Sequence, residues 1–241
     1  RDAKLALEGL RGLVVLDEFQ RRPELLPVLR VLLDRVPLTA RFLILGSASP
    51  ELVRDASESL AGRIEFVTMS GFCPAEVGFA RWKRWWLRGG FPPSYLAKDD
   101  LSSMKWRLNF LQTFCERDLR ILGHELAPAA LRRFLTMAAH YHGQTWNSSE
   151  VGRSLQVAQT TSRRYLDLLT GAFLLRQLPP WFENVGKRLV KAPKVYLRDS
   201  GLLHALLGID SLAELEGHPK LGASWEGIAL ESVLAHFEER H

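Results

Sequence analysis

The sequence predicts an α/β segment followed by a mostly α-helical one, and three observations carry that prediction. Two apolar runs, Leu13-Val14-Val15-Leu16 and Phe42-Leu43-Ile44-Leu45, flank a stretch with helical spacing, the pattern of parallel strands joined by a crossover helix. From Ser102 onward the apolar period becomes helical. Between Asn147 and Phe173 a short capped segment, a brief turn and a longer amphipathic segment follow one another.

The first run ends abruptly in Asp17-Glu18. Four aliphatic residues in a row read as a strand buried on both faces, which delivers its acids to the carboxyl edge of the sheet. Open α/β sheets bind ligands at that edge. A strand of this kind is what the Walker B position of a P-loop ATPase requires: the Asp holds Mg²⁺, usually through water, and the Glu polarises the attacking water. Acids that merely cap a helix after a buried strand are the plainer alternative. Val28, Leu29, Leu32 and Leu33 then predict a helix over 27–35, with Pro27 in its first turn.

The second run leads into Gly46-Ser47-Ala48-Ser49-Pro50. In ATPase geometry Ser47 falls beside Asp17 and Glu18, where it could bond a γ-phosphate or the attacking water, the role called sensor 1. Read plainly, the stretch is a turn in which Ser49 caps a helix over 51–60. The alternation Ile64-Glu65-Phe66-Val67 predicts a third strand, and Arg63 just before it could reach a phosphate or be solvated. The phosphate-cradling loop GxxxxGK[ST] is not in the sequence; Gly186-Lys187-Arg188 lacks the first Gly and the Ser/Thr. That loop lies N-terminal to Walker B in such proteins. The chain is therefore expected to be a fragment that does not hydrolyse ATP alone.

Residues 73–100, with Trp82, Trp85, Trp86 and the turn Gly89-Gly90-Phe91-Pro92-Pro93, read as a Trp-rich linker between a first domain over 1–72 and a helical domain over 101–208. In that second domain Trp106, Phe110, Leu111 and Phe114 share one helical face, and Leu131, Phe134, Leu135, Ala138 and Ala139 another. Asn147-Ser148-Ser149-Glu150 caps a helix to Leu155, and a second helix runs over about 159–169. Tyr165, Leu168, Leu169 and Ala172 face its core, leaving Thr160, Arg163, Arg164 and Asp167 outward. This is a helix-turn-helix. The strand-like pieces 173–178 and 194–197 bracket a loop with Lys187, Arg188 and Lys191, completing a winged helix whose basic residues are candidate DNA contacts. Such modules also serve as lids and docking units, and Asp167 disfavours DNA.

Asp199 can cap a helix through Leu207. Residues 209–241 then carry a helix to about Phe237, with Glu226 on the stripe of Leu230, Val233, Leu234 and Phe237. An inward acid hints at a site, whereas dipole compensation at the helix start is the plainer reading. His140 and His142 are two apart and make no metal pair.

Composition bounds the rest. The 241 residues are 46% hydrophobic and 24% charged, which excludes a disordered chain. Cys73 and Cys115 form no CxxC pattern, no apolar run approaches a membrane span, and Arg1-Asp2-Ala3-Lys4 is no signal peptide. A cytoplasmic protein without a membrane partner is expected. The net charge of +5 is concentrated: residues 101–208 carry 15 Lys/Arg against 7 Asp/Glu, and residues 209–241 carry 2 against 7. The basic middle suits a phosphate-bearing partner, although solvated Arg and Lys are the commoner cause of such an excess.

Taken together, LVVLDEFQRRPELLPVLR, FLILGSASPEL, SLAGRI, WLRGGFP, FCERDL, RRYLDLL, KVYLRDSGLLHALLG and GASWEG resemble the prokaryotic AAA+-like ATPases that carry a C-terminal winged-helix module and a PD-(D/E)xK nuclease-like tail. The resemblance covers nearly the whole chain, in the family's order. It implies a partial AAA+-like parallel sheet with helices, then a helical winged-helix domain. It also implies ATP and Mg²⁺ as cofactors of the full-length parent, Asp17 and Glu18 as Walker B, Ser47 as sensor 1, and Arg63 as an arginine finger reaching a neighbouring subunit in a homo-oligomer. Glu226 would be the helix acid of the nuclease-like fold, whose further Asp and Lys lie beyond His241. A non-enzymatic DNA-binding or docking module, in a defence or toxin–antitoxin setting, is the rival expectation.

Overall fold

The computed structural model describes residues 3–46, 50–67, 69–118, 127–180 and 192–238. They form two compact units, 1–67 and 68–241. The architecture is α/β and then mostly α, as the period change after Ser102 anticipates.

The first unit runs α1 (Ala3–Glu8), β1 (Gly12–Leu16), α2 (Leu26–Leu33), β2 (Ala40–Ile44) and α3 (Pro50–Ser59). β1 and β2 pair in parallel, with Gly12 opposite Ala40 and Leu16 opposite Ile44. α2 begins with Pro27 in its first turn, where a missing N–H costs nothing. It buries Leu26, Leu29 and Leu32 with Leu7, Phe19, Ala56 and Leu60. Leu16, Phe42 and Ile44 line that core from the sheet. The opposite sheet face differs from the expectation of a strand buried on both sides. Leu13 is 68% exposed, and Val15 and Leu43 are exposed too, because the described helices cover one face only. The third strand is also absent from the described residues: Ile64–Val67 has no partner, and Phe66 and Val67 stand in solvent.

The second unit begins with α4 (Pro74–Val77), α5 (Trp82–Arg88) and α6 (Pro92–Tyr95). This stretch, read from sequence as a linker, is folded into the unit: the Phe72 N–H bonds the Gly90 carbonyl at 2.7 Å, and Trp86 and Leu87 are buried. Next come α7 (Asp100–Thr113), which ends in a π-helical turn at Phe114–Asp118, and α8 (Pro128–His140). β3 (Gln144–Thr145), α9 (Ser148–Leu155), α10 (Gln159–Gly171), β4 (Leu175–Leu178) and β5 (Lys194–Leu197) follow. β5 lies between β3 and β4 in an antiparallel sheet. The chain continues through α11 (Ser200–Leu207), α12 (Leu212–Gly217) and α13 (Leu221–Glu238). The main core joins Leu111 of α7, Leu131 and Phe134 of α8, Val151 of α9, Leu169 of α10 and Val195 of β5.

α9 starts as its sequence dictates, with the Asn147 side chain accepting from the Glu150 N–H at 3.1 Å. α10 buries Ser162, Tyr165, Leu166 and Leu169, close to the expected face. α13 departs from its expected stripe. Ser224, Gly227 and Ile228 are buried and Glu231 points inward, whereas Glu226, Val233 and Phe237 are exposed. The helix also begins five residues before Glu226, so that acid sits beyond the first turn.

Candidate functional site

Asp17 and Glu18 follow β1 directly, at the carboxyl edge of the parallel pair. The pairing carries on past β2: the Leu45 N–H bonds the Leu16 carbonyl at 2.8 Å, and the Phe19 N–H bonds the Leu45 carbonyl at 3.0 Å. The chain must turn sharply between these bonds. Glu18 makes the turn with φ 55° and ψ 36°, a left-handed conformation that a residue with a Cβ seldom adopts. Residues held this way cost about 1 kcal/mol or more and cluster at functional sites. Asp17 Oδ1 accepts from the Glu18 N–H at 2.8 Å, which fixes the turn from within. Glu18 Oε2 accepts from Gln20 Nε2 at 2.9 Å and lies 3.5 Å from Arg21 Nε. Both acids are exposed.

Two carboxylates at an exposed strand end suit a hard divalent cation that draws its remaining ligands from phosphate and water, as Mg²⁺ does. Among the described residues no cluster of three or more His, Cys, Asp or Glu could hold a metal by itself. Ser47 lies outside the described residues. Arg63 is held elsewhere: its Nε bonds Asp34 Oδ1 at 2.5 Å and its guanidinium bonds the Ala61 carbonyl at 2.9 Å. Asp34 ends α2 on the way back to the start of β2, so this pair stands at the amino edge of the sheet, away from Asp17 and Glu18.

On α10, Thr160, Arg163, Arg164 and Asp167 are all exposed. Neither arginine makes an ion pair among the described residues, while Asp167 accepts from Gln177 Nε2 at 2.9 Å. Lys187, Arg188 and Lys191 lie outside the described residues.

Glu226 lies on the surface of α13 and meets β5. Its Oε1 accepts from the Tyr196 hydroxyl at 2.6 Å and from Lys194 Nζ at 3.0 Å. The Tyr196 and Lys194 hydrogen bonds hold the Glu226 carboxyl below its usual range. Burial, then the bond to Glu226, pushes the Tyr196 phenol up.

Sequence reasoning missed the buried polar residues that anchor these elements. His204 Nδ1 donates to the Leu87 carbonyl at 3.0 Å, and its Nε2 accepts from Ser224 Oγ at 2.8 Å. Ser224 Oγ in turn accepts from Trp86 Nε1 at 2.8 Å. This Ser–His pair is no nucleophile. It is buried, and its imidazole meets a carbonyl where a catalytic triad has a carboxylate. His142 accepts from the Leu197 N–H at 3.0 Å and donates to the Ala223 carbonyl at 3.1 Å. Burial lowers both histidines to about 4, so each is neutral. Glu231 receives Arg176 and Arg198, tying α13 to the sheet. The spacing Ser224, Gly227, Ile228, Glu231 is itself a helical stripe that could have revealed the inward acid.

A parallel strand pair with acids at its carboxyl edge, followed by a helical unit, defines the class: residues 3–78 match the family described as AAA domain, of ATPase type. The chain belongs to the family of the domain of unknown function DUF8612, which matches residues 80–213. Uncharacterized proteins of Mycobacterium bovis and Mycobacterium tuberculosis are each 58% identical to it over 234 residues, covering 97% of this chain and 53% of theirs. The chain thus spans about half the length of the curated relatives it matches. No solved structure matches it. No helix among the described residues is long and apolar enough to cross a membrane.

Proposed function

We propose that this chain carries the Walker B part of a nucleotide-hydrolysing AAA-type ATPase, cytoplasmic and prokaryotic, coupled to a winged-helix module. The observation that carries this reading is the pair Asp17 and Glu18 at the carboxyl end of β1, with Glu18 held in a left-handed turn. Mg²⁺·ATP, when bound, supplies the phosphoryl group and neutralises its charge. Asp17 is then the residue that holds the metal through water, and Glu18 accepts a proton from the attacking water and orients it. Ser47 would serve as sensor 1. Arg63 would act on a neighbouring subunit's nucleotide in a homo-oligomer, which requires its exposed pair with Asp34 to open, at a cost of at most about 1 kcal/mol. Mg²⁺-dependent ATP hydrolysis by the protein at its natural length tests the reading; absence of ATP binding there contradicts it.

A second reading has its own observation. Arg163 and Arg164 stand exposed, without ion pairs among the described residues, on the second helix of a helix-turn-helix, next to an antiparallel sheet. They suit phosphate contacts on DNA, with Thr160 beside them; Lys187, Arg188 and Lys191, outside the described residues, would add to these contacts. The winged-helix unit would then be a DNA-binding arm of the ATPase, or of a non-enzymatic defence component. Replacing both arginines by Ala should weaken DNA binding about tenfold at low salt and flatten its salt dependence. Identical binding by wild type and double variant would exclude α10 as the DNA face. Glu226 is reserved for the nuclease-like reading, where its engagement by Tyr196 and Lys194 would keep it ionised.

A further inference from the structure

We infer that Gln20 is a positioning residue for Glu18, and this rests on the ATPase reading above. The argument begins with Glu18, whose carboxylate sits on a left-handed turn and is 56% exposed, so its own backbone does little to fix where it points. Two neighbours meet it. Arg21 is 3.5 Å away and 66% exposed, a pair too solvated to hold one geometry. Gln20 is different. Its Nε2 donates to Glu18 Oε2 at 2.9 Å, and the side chain is itself half-buried.

What seats Gln20 is the end of the neighbouring strand. Its Oε1 is buried with no hydrogen-bond partner among the described residues, and it fills the space where a side chain at position 46 would begin. A Cβ on Gly46 would overlap Gln20 Oε1 and crowd the Phe19 nitrogen at 3.2 Å, so the amide would have to leave this position. Gly46 is therefore glycine for a reason other than its dihedral angles: it makes the seat for the Gln20 amide. An amide oxygen cannot donate to a carboxylate, so only the orientation with Nε2 toward Glu18 is productive. A buried acceptor left unpaired is the cost of that orientation. The consequence is an amide wedged between the terminus of β2 and the Glu18 carboxylate. One carboxylate oxygen is occupied by Gln20, and the other is left for a water proton. A change at the end of β2 would therefore reach Glu18 through this amide.

The test uses the protein at its natural length, with ATP as the probe. Gln20→Ala should lower kcat about tenfold with KM for ATP and ATP affinity within twofold of wild type. Gly46→Ala, which evicts the amide without removing it, should give the same loss and add nothing in the Gln20→Ala background. In the 241-residue chain itself, the NMR resonance of the Gln20 side-chain amide should shift on Glu18→Ala. An unchanged kcat in Gln20→Ala, in a protein whose turnover Glu18→Gln abolishes, would overturn this role and leave the ATPase reading intact. Equal losses in kcat and ATP affinity, or a Gln20 amide indifferent to Glu18→Ala, would overturn it too. A wild-type protein that binds no ATP removes the ATPase reading and this role together.

Discussion

His204 shows how a single buried residue sets the chemistry of its surroundings. Its two nitrogens have fixed roles, donor to Leu87 and acceptor from Ser224, so only the neutral imidazole satisfies both partners. Burial lowers its folded pKa to about 4 from 6.5. Between those values the unfolded chain binds a proton that the folded chain does not, so stability rises with pH across that window. Stability contributed by the neutral ring is complete above pH 6.5 and is lost as pH falls toward 4. The loss is on the order of 3 kcal/mol for His204. His204→Gln should therefore flatten the dependence of Tm on pH between 4 and 6.5, and an unchanged slope would contradict the assignment. None of this was legible in the sequence, where a lone His within an apolar helix carries no sign of its partners. Asp17 and Glu18 were legible because an abrupt change from aliphatic to acidic residues marks a strand end. Gln20 was not, since its role depends on the missing side chain of Gly46 across the sheet.

At the scale of elements, α2 was located by its stripe and its first-turn proline, α9 and α11 by the caps Asn147 and Asp199, and α10 by its buried stripe alone. Asp199, for example, accepts from the Leu202 N–H at 2.8 Å as a cap should. It also accepts from the Gly90 N–H at 2.7 Å, a contact 109 residues away that no local pattern announces. The Trp-rich stretch 73–100 hides its packing for the same reason. Its turns read as a linker, yet α5 packs on α11 so closely that a Cβ on Gly201 would overlap the Arg88 backbone carbonyl. That contact lets two helices meet without an intervening side chain. Gly201→Ala removes a helical glycine, which alone would add about 1 kcal/mol of stability. The clash is with backbone and cannot be relieved by a rotamer change, at a cost of about 3 kcal/mol. The net expectation is destabilisation by about 2 kcal/mol, read as a lower urea midpoint. A midpoint equal to or above wild type would contradict the packing. Ile64–Val67 differs in another way: its alternation fits a half-buried strand, but it pairs with no strand among the described residues.

For the molecule as a whole, charge is distributed in blocks along the chain. The basic excess falls within residues 101–208, which carry the helix-turn-helix, and the acidic excess falls within 209–241, where α13 places Glu226 and Glu231 against Lys194, Arg176 and Arg198. The two blocks thus meet partly within one unit, and the arginines of α10 make no ion pair among the described residues. The exposed apolar face of the β1–β2 pair and the acids at its edge belong to the AAA-type unit, and they carry the central claim, that Glu18 is the group that activates water for ATP hydrolysis. The most direct measurement is ATP binding and turnover by the natural-length protein with Glu18→Gln. If Glu18 activates the water, ATP still binds with near wild-type affinity while turnover falls by about a hundredfold or more. Turnover at the wild-type rate would contradict the claim, leaving Asp17 and Glu18 as strand-end acids of a scaffold.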